Sequence, residues 1–135
     1  MNITMIGTGY VGLVSGVCFA EMGNKVVCID KDINIINNLN SGIIPIFEPS
    51  LEELVNKNMK AGRLRFSIDL IKEINNAEII FIAVGTPRGK ENGEADLSSV
   101  FGVAEELSKN INSKKVVAMK STVPVGTMGI IEKIF

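Results

Sequence analysis

The sequence has no histidine and no tryptophan, and it has only one tyrosine and two cysteines. Without histidine there is no imidazole general base, no Ser-His-Asp triad and no histidine-ligated metal site. Two cysteines, Cys18 and Cys28, cannot make a disulfide framework. Each stands inside an apolar run, one with helical and one with strand spacing, so both are expected as reduced thiols of the core. An excess of one charge is lacking too: fourteen basic residues face fifteen acidic ones, for a net charge of −1. With no basic tail or stripe, neither nucleic acid nor an anionic membrane is the expected partner. No apolar run approaches the ~18 residues of a membrane span. The opening Met1-Asn2-Ile3-Thr4-Met5-Ile6 lacks the basic segment and long apolar stretch of a secretory leader, and a cytoplasmic location is the expectation.

What is present is material for one core: 135 residues, 46% of them hydrophobic. That length suits a single domain over residues 1–135. A short apolar run at 3–6 ends in glycine, as a buried parallel strand does. Helical spacing follows over 10–22, through Val11, Leu13, Val14, Val17, Cys18 and Phe19, with Gly23 as its stop. A second strand at 25–30 closes on Asp30, which completes a βαβ unit within thirty residues. Further on, the pattern predicts a short helix at 32–39, a loop at 42–49 and a helix beginning at Ser50. There Ser50 and Glu53 have the spacing of a capping box. Strands are expected at 64–67, at 78–84 and at 115–119. Helices are expected near 69–74, from Asp96 or Ser98 to about 110, and at the C-terminus.

Strands alternating with helices imply an α/β fold, a doubly wound parallel sheet of Rossmann type with strand order 3-2-1-4-5. Ligands of such sheets lie beyond the carboxyl ends of the strands. Three loops are expected to meet there, at 7–12, 84–87 and 121–126.

The first of these reads Gly7-Thr8-Gly9-Tyr10-Val11-Gly12. A G-x-G-x-x-G string alone is a weak signal. This one follows a strand, opens a helix, and has an aspartate at the end of the next strand, which is the context a dinucleotide-binding turn needs. Gly7 makes the tight turn, Gly9 lets a pyrophosphate approach the backbone, and Gly12 lets the helix pack on the strand. The helix N-terminus faces the phosphates. Asp30 would accept the adenosine ribose hydroxyls and repel a 2′-phosphate, which favours NAD. Lys31 keeps NADP open. The blander alternative is that the glycines only permit a turn and Asp30 only ends a strand. Gly85-Thr86-Pro87 and Thr122 have a bland alternative as well, as turn chemistry.

Four blocks then carry a resemblance. Gly7-Thr8-Gly9-Tyr10-Val11-Gly12-Leu13-Val14 resembles the opening of the UDP-glucose/GDP-mannose dehydrogenases. So do, in the family's order, Pro45-Ile46-Phe47-Glu48-Pro49-Ser50-Leu51-Glu52-Glu53-Leu54, Val84-Gly85-Thr86-Pro87 and Lys120-Ser121-Thr122-Val123-Pro124-Val125-Gly126-Thr127. The branch acting on UDP-glucose is the most similar. The resemblance implies oxidation of a nucleotide sugar's C6 alcohol to a carboxylate with two NAD, through a bound aldehyde and a cysteine thioester. It implies main-chain contacts from Tyr10 and Val11 to the pyrophosphate and ribose binding by Asp30. It sets Thr86 along the cofactor beyond its phosphates. Thr122 would lie near the nicotinamide and order the water of thioester hydrolysis.

Two positions depart from the family. Ser50 stands where glycine is usual, and Ile35 where many bacterial members have a lysine that reaches the ribose. The family's nucleophilic cysteine and its partners fall beyond residue 135. Its central dimer-forming and C-terminal sugar-binding domains fall there as well, in a parent expected to be a homodimer. The expectation is a chain that binds NAD and does not turn over substrate alone. GDP-mannose or UDP-N-acetyl-sugar oxidation, or a non-catalytic NAD-binding module, are the alternatives.

Overall fold

Period-two alternation sorts the strand residues between the two faces of a sheet. A computed structural model of the chain describes residues 1–89 and 93–135, so part of the polar loop expected before Asp96 lies outside the described residues. In β1 (Asn2–Ile6), Ile3 and Met5 enter one core and Ile6 the opposite one. In β2 (Lys25–Ile29), Val26 and Cys28 share the side of Ile3 and Met5. With β3 (Leu64–Ser67), β4 (Ile79–Ile82) and β5 (Val116–Met119), these form a five-stranded sheet in the order β3-β2-β1-β4-β5. Every pairing is parallel, and the expected Rossmann-type order is the one observed.

One face is covered by α1 (Tyr10–Glu21), α2 (Ile33–Asn40) and α3 (Leu51–Lys60), the other by α4 (Leu70–Asn76) and α5 (Ser98–Asn110). The short α6 (Thr127–Ile131) packs beside α5 through Ile131. α1 turns Leu13, Val17 and Ala20 to the sheet, all fully buried. Each such leucine or valine contributes roughly 1.5–3 kcal/mol relative to exposure. Phe19 and Phe81 stack at the rim of this core with ring centroids 5.1 Å apart.

Three expectations need correction. Cys18 is exposed, although Cys28 is buried as expected. Helix α1 carries apolar residues on every side. Val11 and Cys18, two turns apart, fall on its outer face, while Gly12, Leu13, Gly16 and Val17 take the sheet. Ser50 does precede α3, but no capping box forms: its φ is +64° and its side chain caps nothing. A left-handed cap turns the hydroxyl away from the first amides. Finally, the strand expected at 78–84 is regular only over Ile79–Ile82. Ala83 still donates to the Ile6 carbonyl, and the chain then leaves the sheet beside Gly7.

Candidate functional site

The three glycines of the 7–12 turn do three different things. Gly7 has φ +104°, and a β-carbon there would stand 2.5 Å from the Ala83 carbonyl oxygen. A β-carbon on Gly12 would meet the Gly7 carbonyl oxygen. Both glycines are required by the polypeptide itself. Gly9 is not: its φ is −67°, and a β-carbon there would meet nothing within 4 Å. The space in front of Gly9 is kept clear at a helix N-terminus where no side chain caps the amides and no acidic residue occupies the first turn. Open space plus the positive end of a helix dipole suits a phosphate. On that observation the residues fit a dinucleotide.

Asp30, just past β2, binds back to this turn. Its Oδ2 accepts from the Thr8 N–H at 3.1 Å and the Thr8 hydroxyl at 2.8 Å, and its Oδ1 accepts from the Asp32 N–H at 3.1 Å. Thr8 is buried and Asp30 half-buried. Asp32 itself caps α2 by accepting from the Asn34 N–H.

A cleft of about 630 Å³ opens at the carboxyl edge of β1, β2 and β4. Gly7, Thr8, Gly9, Asp30 and Lys31 line one part of it, and Val84 and Gly85 another. Its far wall is a face of α5 that the sequence did not mark as functional: Ser98, Ser99, Gly102 and Val103, with Glu105 and Glu106. Three small residues on one helix face are the signal that was there to read. Three carboxylates and one ammonium thus border the cleft among the described residues, a balance unfavourable to an added 2′-phosphate. Ile35, at the position where the resemblance led to a missing lysine, packs into the core.

The other expected site residues sit outside the cleft lining. Thr86 and Thr122 come together, the Thr86 hydroxyl donating to the Thr122 carbonyl oxygen at 3.1 Å. Ser121 donates to the Val84 carbonyl oxygen at 2.7 Å, so the loops after β4 and β5 form one unit. The loop at 121–126 therefore meets the 84–87 loop as expected but does not border the cleft. Tyr10 and Val11 are exposed at the start of α1. The Tyr10 hydroxyl donates to Glu48 at 2.5 Å, and the adjacent carboxylate raises the phenol's pKa. Cys28 is wholly buried against α1, and desolvation pushes its thiol up to about 12. Cys18 lies on the outer face of α1, and neither cysteine borders the cleft. Among the described residues there is no cluster of three or more metal-binding side chains, and no helix is long and apolar enough to cross a membrane.

The comparisons with known proteins agree with this geometry. The model of the UDP-glucose/GDP-mannose dehydrogenase family, NAD binding domain, matches residues 1–135. A UDP-glucose 6-dehydrogenase of Rhizobium meliloti is 54% identical over 134 residues, which are 99% of this chain and 31% of that protein. A UDP-glucose 6-dehydrogenase of Bacillus subtilis is 53% identical over 98% of this chain and 29% of its own length. The chain therefore spans about three-tenths of these relatives. Among solved structures, a GDP-mannose dehydrogenase of Pseudomonas aeruginosa superposes with a TM-score of 0.91 at 35% identity, over 99% of this chain and 32% of that one. A UDP-glucose dehydrogenase of Pyrobaculum islandicum superposes with a TM-score of 0.90 at 37% identity, over 98% of this chain and 31% of that one.

Proposed function

The chain belongs to the UDP-glucose/GDP-mannose dehydrogenase family as its NAD-binding domain, and from that membership we propose that it is the cofactor-holding part of a UDP-glucose 6-dehydrogenase. In this reading the parent, a cytoplasmic homodimer, oxidises the C6 alcohol of UDP-glucose to the carboxylate of UDP-glucuronate. Two NAD accept the two hydrides. The observation that carries the sugar assignment is the 54% identity to a protein of that name.

Within this chain, the open space at Gly9 and the amides of Tyr10 and Val11 hold the pyrophosphate, and Asp30 takes the adenosine ribose. Thr86 lies farther along the cofactor. Thr122, tied to it by hydrogen bond, stands at the nicotinamide end and orders the hydrolytic water. A thioester step needs an accessible thiolate. Cys28 is sealed in the core and Cys18 faces away from the cleft, so the nucleophile belongs to the central and C-terminal domains of the parent.

Calorimetric titration of the 135-residue chain with NAD and NADP tests the cofactor assignment. NAD binds, Asp30→Ala weakens it, and NADP binds less well; equal affinity for both would remove the role given to Asp30. NADH formation from UDP-glucose by the chain alone would refute the placing of the nucleophile elsewhere. GDP-mannose is the second reading, favoured by the superposition on GDP-mannose dehydrogenase. Assaying the full parent with both sugars separates the two.

A further inference from the structure

We propose that Thr8 is a positioning residue for cofactor recognition: it locks the Asp30 carboxylate so that Oδ1 is the oxygen offered to the ribose. The inference rests on the reading of Asp30 as the ribose acceptor and says how that acceptor is held. A carboxylate has about four lone-pair sites. Two of Asp30's are filled on Oδ2 by the Thr8 N–H and hydroxyl, and one on Oδ1 by the Asp32 N–H. Oδ1 therefore keeps a free site, and it belongs to a side chain on the wall of the cleft. The carboxylate torsion is soft and roughly two-fold, so little in Asp30 itself would hold this orientation. The amides of Thr8 and Asp32 hold one oxygen each, and the Thr8 hydroxyl adds the third and shortest bond, from a side chain that is only 3% exposed.

The Thr8 amide makes its bond whatever side chain stands at this position. Only the hydroxyl donation depends on residue type. Serine preserves it, and valine removes it at nearly constant shape. With that bond gone, the two amides hold the carboxylate alone, and it is freer to lean toward Lys31, which borders the same cleft. Its grip on the ribose weakens, and so does its rejection of a 2′-phosphate.

The test is titration of the chain and its Thr8→Val, Thr8→Ala and Thr8→Ser variants with NAD and with NADP, with thermal melting measured alongside. Losing one charge-assisted hydrogen bond at the acceptor weakens NAD binding about tenfold in Thr8→Val. The NAD:NADP affinity ratio falls with it, and Thr8→Ser retains both values. Thr8→Ala, with the same hydroxyl missing, gives the same result if Thr8→Val does not fold. Unchanged NAD affinity and an unchanged ratio in Thr8→Val or Thr8→Ala overturn the proposal, and so does a Thr8→Ser as weak as Thr8→Val. Failure of the parent chain to bind NAD, or its indifference to Asp30→Ala, overturns instead the cofactor reading beneath it.

Discussion

The carbonyl oxygen of Gly7 stands 2.0 Å from the point that a β-carbon on Gly12 would occupy. Backbone cannot give way as the tip of a flexible side chain can. Gly12→Ala therefore destabilises the domain by about 3 kcal/mol or more, read as a fall in urea midpoint. Gly9→Ala, meeting no protein atom within 4 Å, leaves that midpoint within about 0.5 kcal/mol of the parent and weakens NAD binding at least about tenfold. Equal loss of stability in the two variants would contradict the division of labour among the glycines.

Ser50 is the one non-glycine residue with positive φ among the described residues. A side chain in that region costs roughly 1–2 kcal/mol, and this one recovers nothing through capping. Ser50→Gly accordingly raises stability by about 1 kcal/mol, or about 4 °C in Tm. Calorimetric melting that shows no gain would mean that the strain is offset elsewhere in the 43–50 loop.

Glu73 is almost wholly buried and paired with the half-exposed Arg65, and the carboxylate raises the pKa of the guanidinium. Removing Arg65 leaves a carboxylate in the interior without its cation. Arg65→Ala costs about 2 kcal/mol, a figure reduced because the arginine is half in water. The double variant Arg65→Ala/Glu73→Leu recovers most of that loss, since the buried charge goes too. Urea unfolding of the two variants decides it.

The two cysteines respond differently to alkylation. At pH 8 iodoacetamide labels Cys18 in the folded chain and both thiols in urea, as mass spectrometry reads directly. Cys28 also gives stability a pH dependence. Its folded pKa of about 12 lies above the ordinary thiol value of 9.0. The contribution is complete below pH 9 and is lost as pH rises toward 12. Cys28→Ala flattens the stability curve in that window.

Much of the fold was legible because its signals are local. A glycine run between a strand and a helix, and an aspartate closing the next strand, define a βαβ unit without any distant contact. The same local signals placed Gly7, Gly9 and Asp30 on the cleft, whereas Thr86 and Thr122, expected there too, stand outside its lining. What escaped was tertiary: the bond from Thr8 to Asp30 spans 22 positions, and the α5 wall reaches the cleft from across the sheet. Cys18 was misread for a related reason. A helix with apolar residues all round has no polar face to say which side is buried. Ser50 was misread because its residue type suits a cap, whereas its φ is set by the path of the preceding loop.

The Thr8–Asp30 pairing also constrains how this domain can evolve. Replacing Asp30 alone, as a change toward a 2′-phosphorylated cofactor requires, leaves the buried Thr8 hydroxyl and amide without their acceptor. The first mutant on that path loses stability before any new affinity is gained. A lineage that altered Thr8 first would instead loosen the carboxylate while the fold tolerates it. On the roles proposed for Thr8 and Asp30, cofactor preference is a two-residue character, and the order of the two substitutions decides whether the intermediate survives.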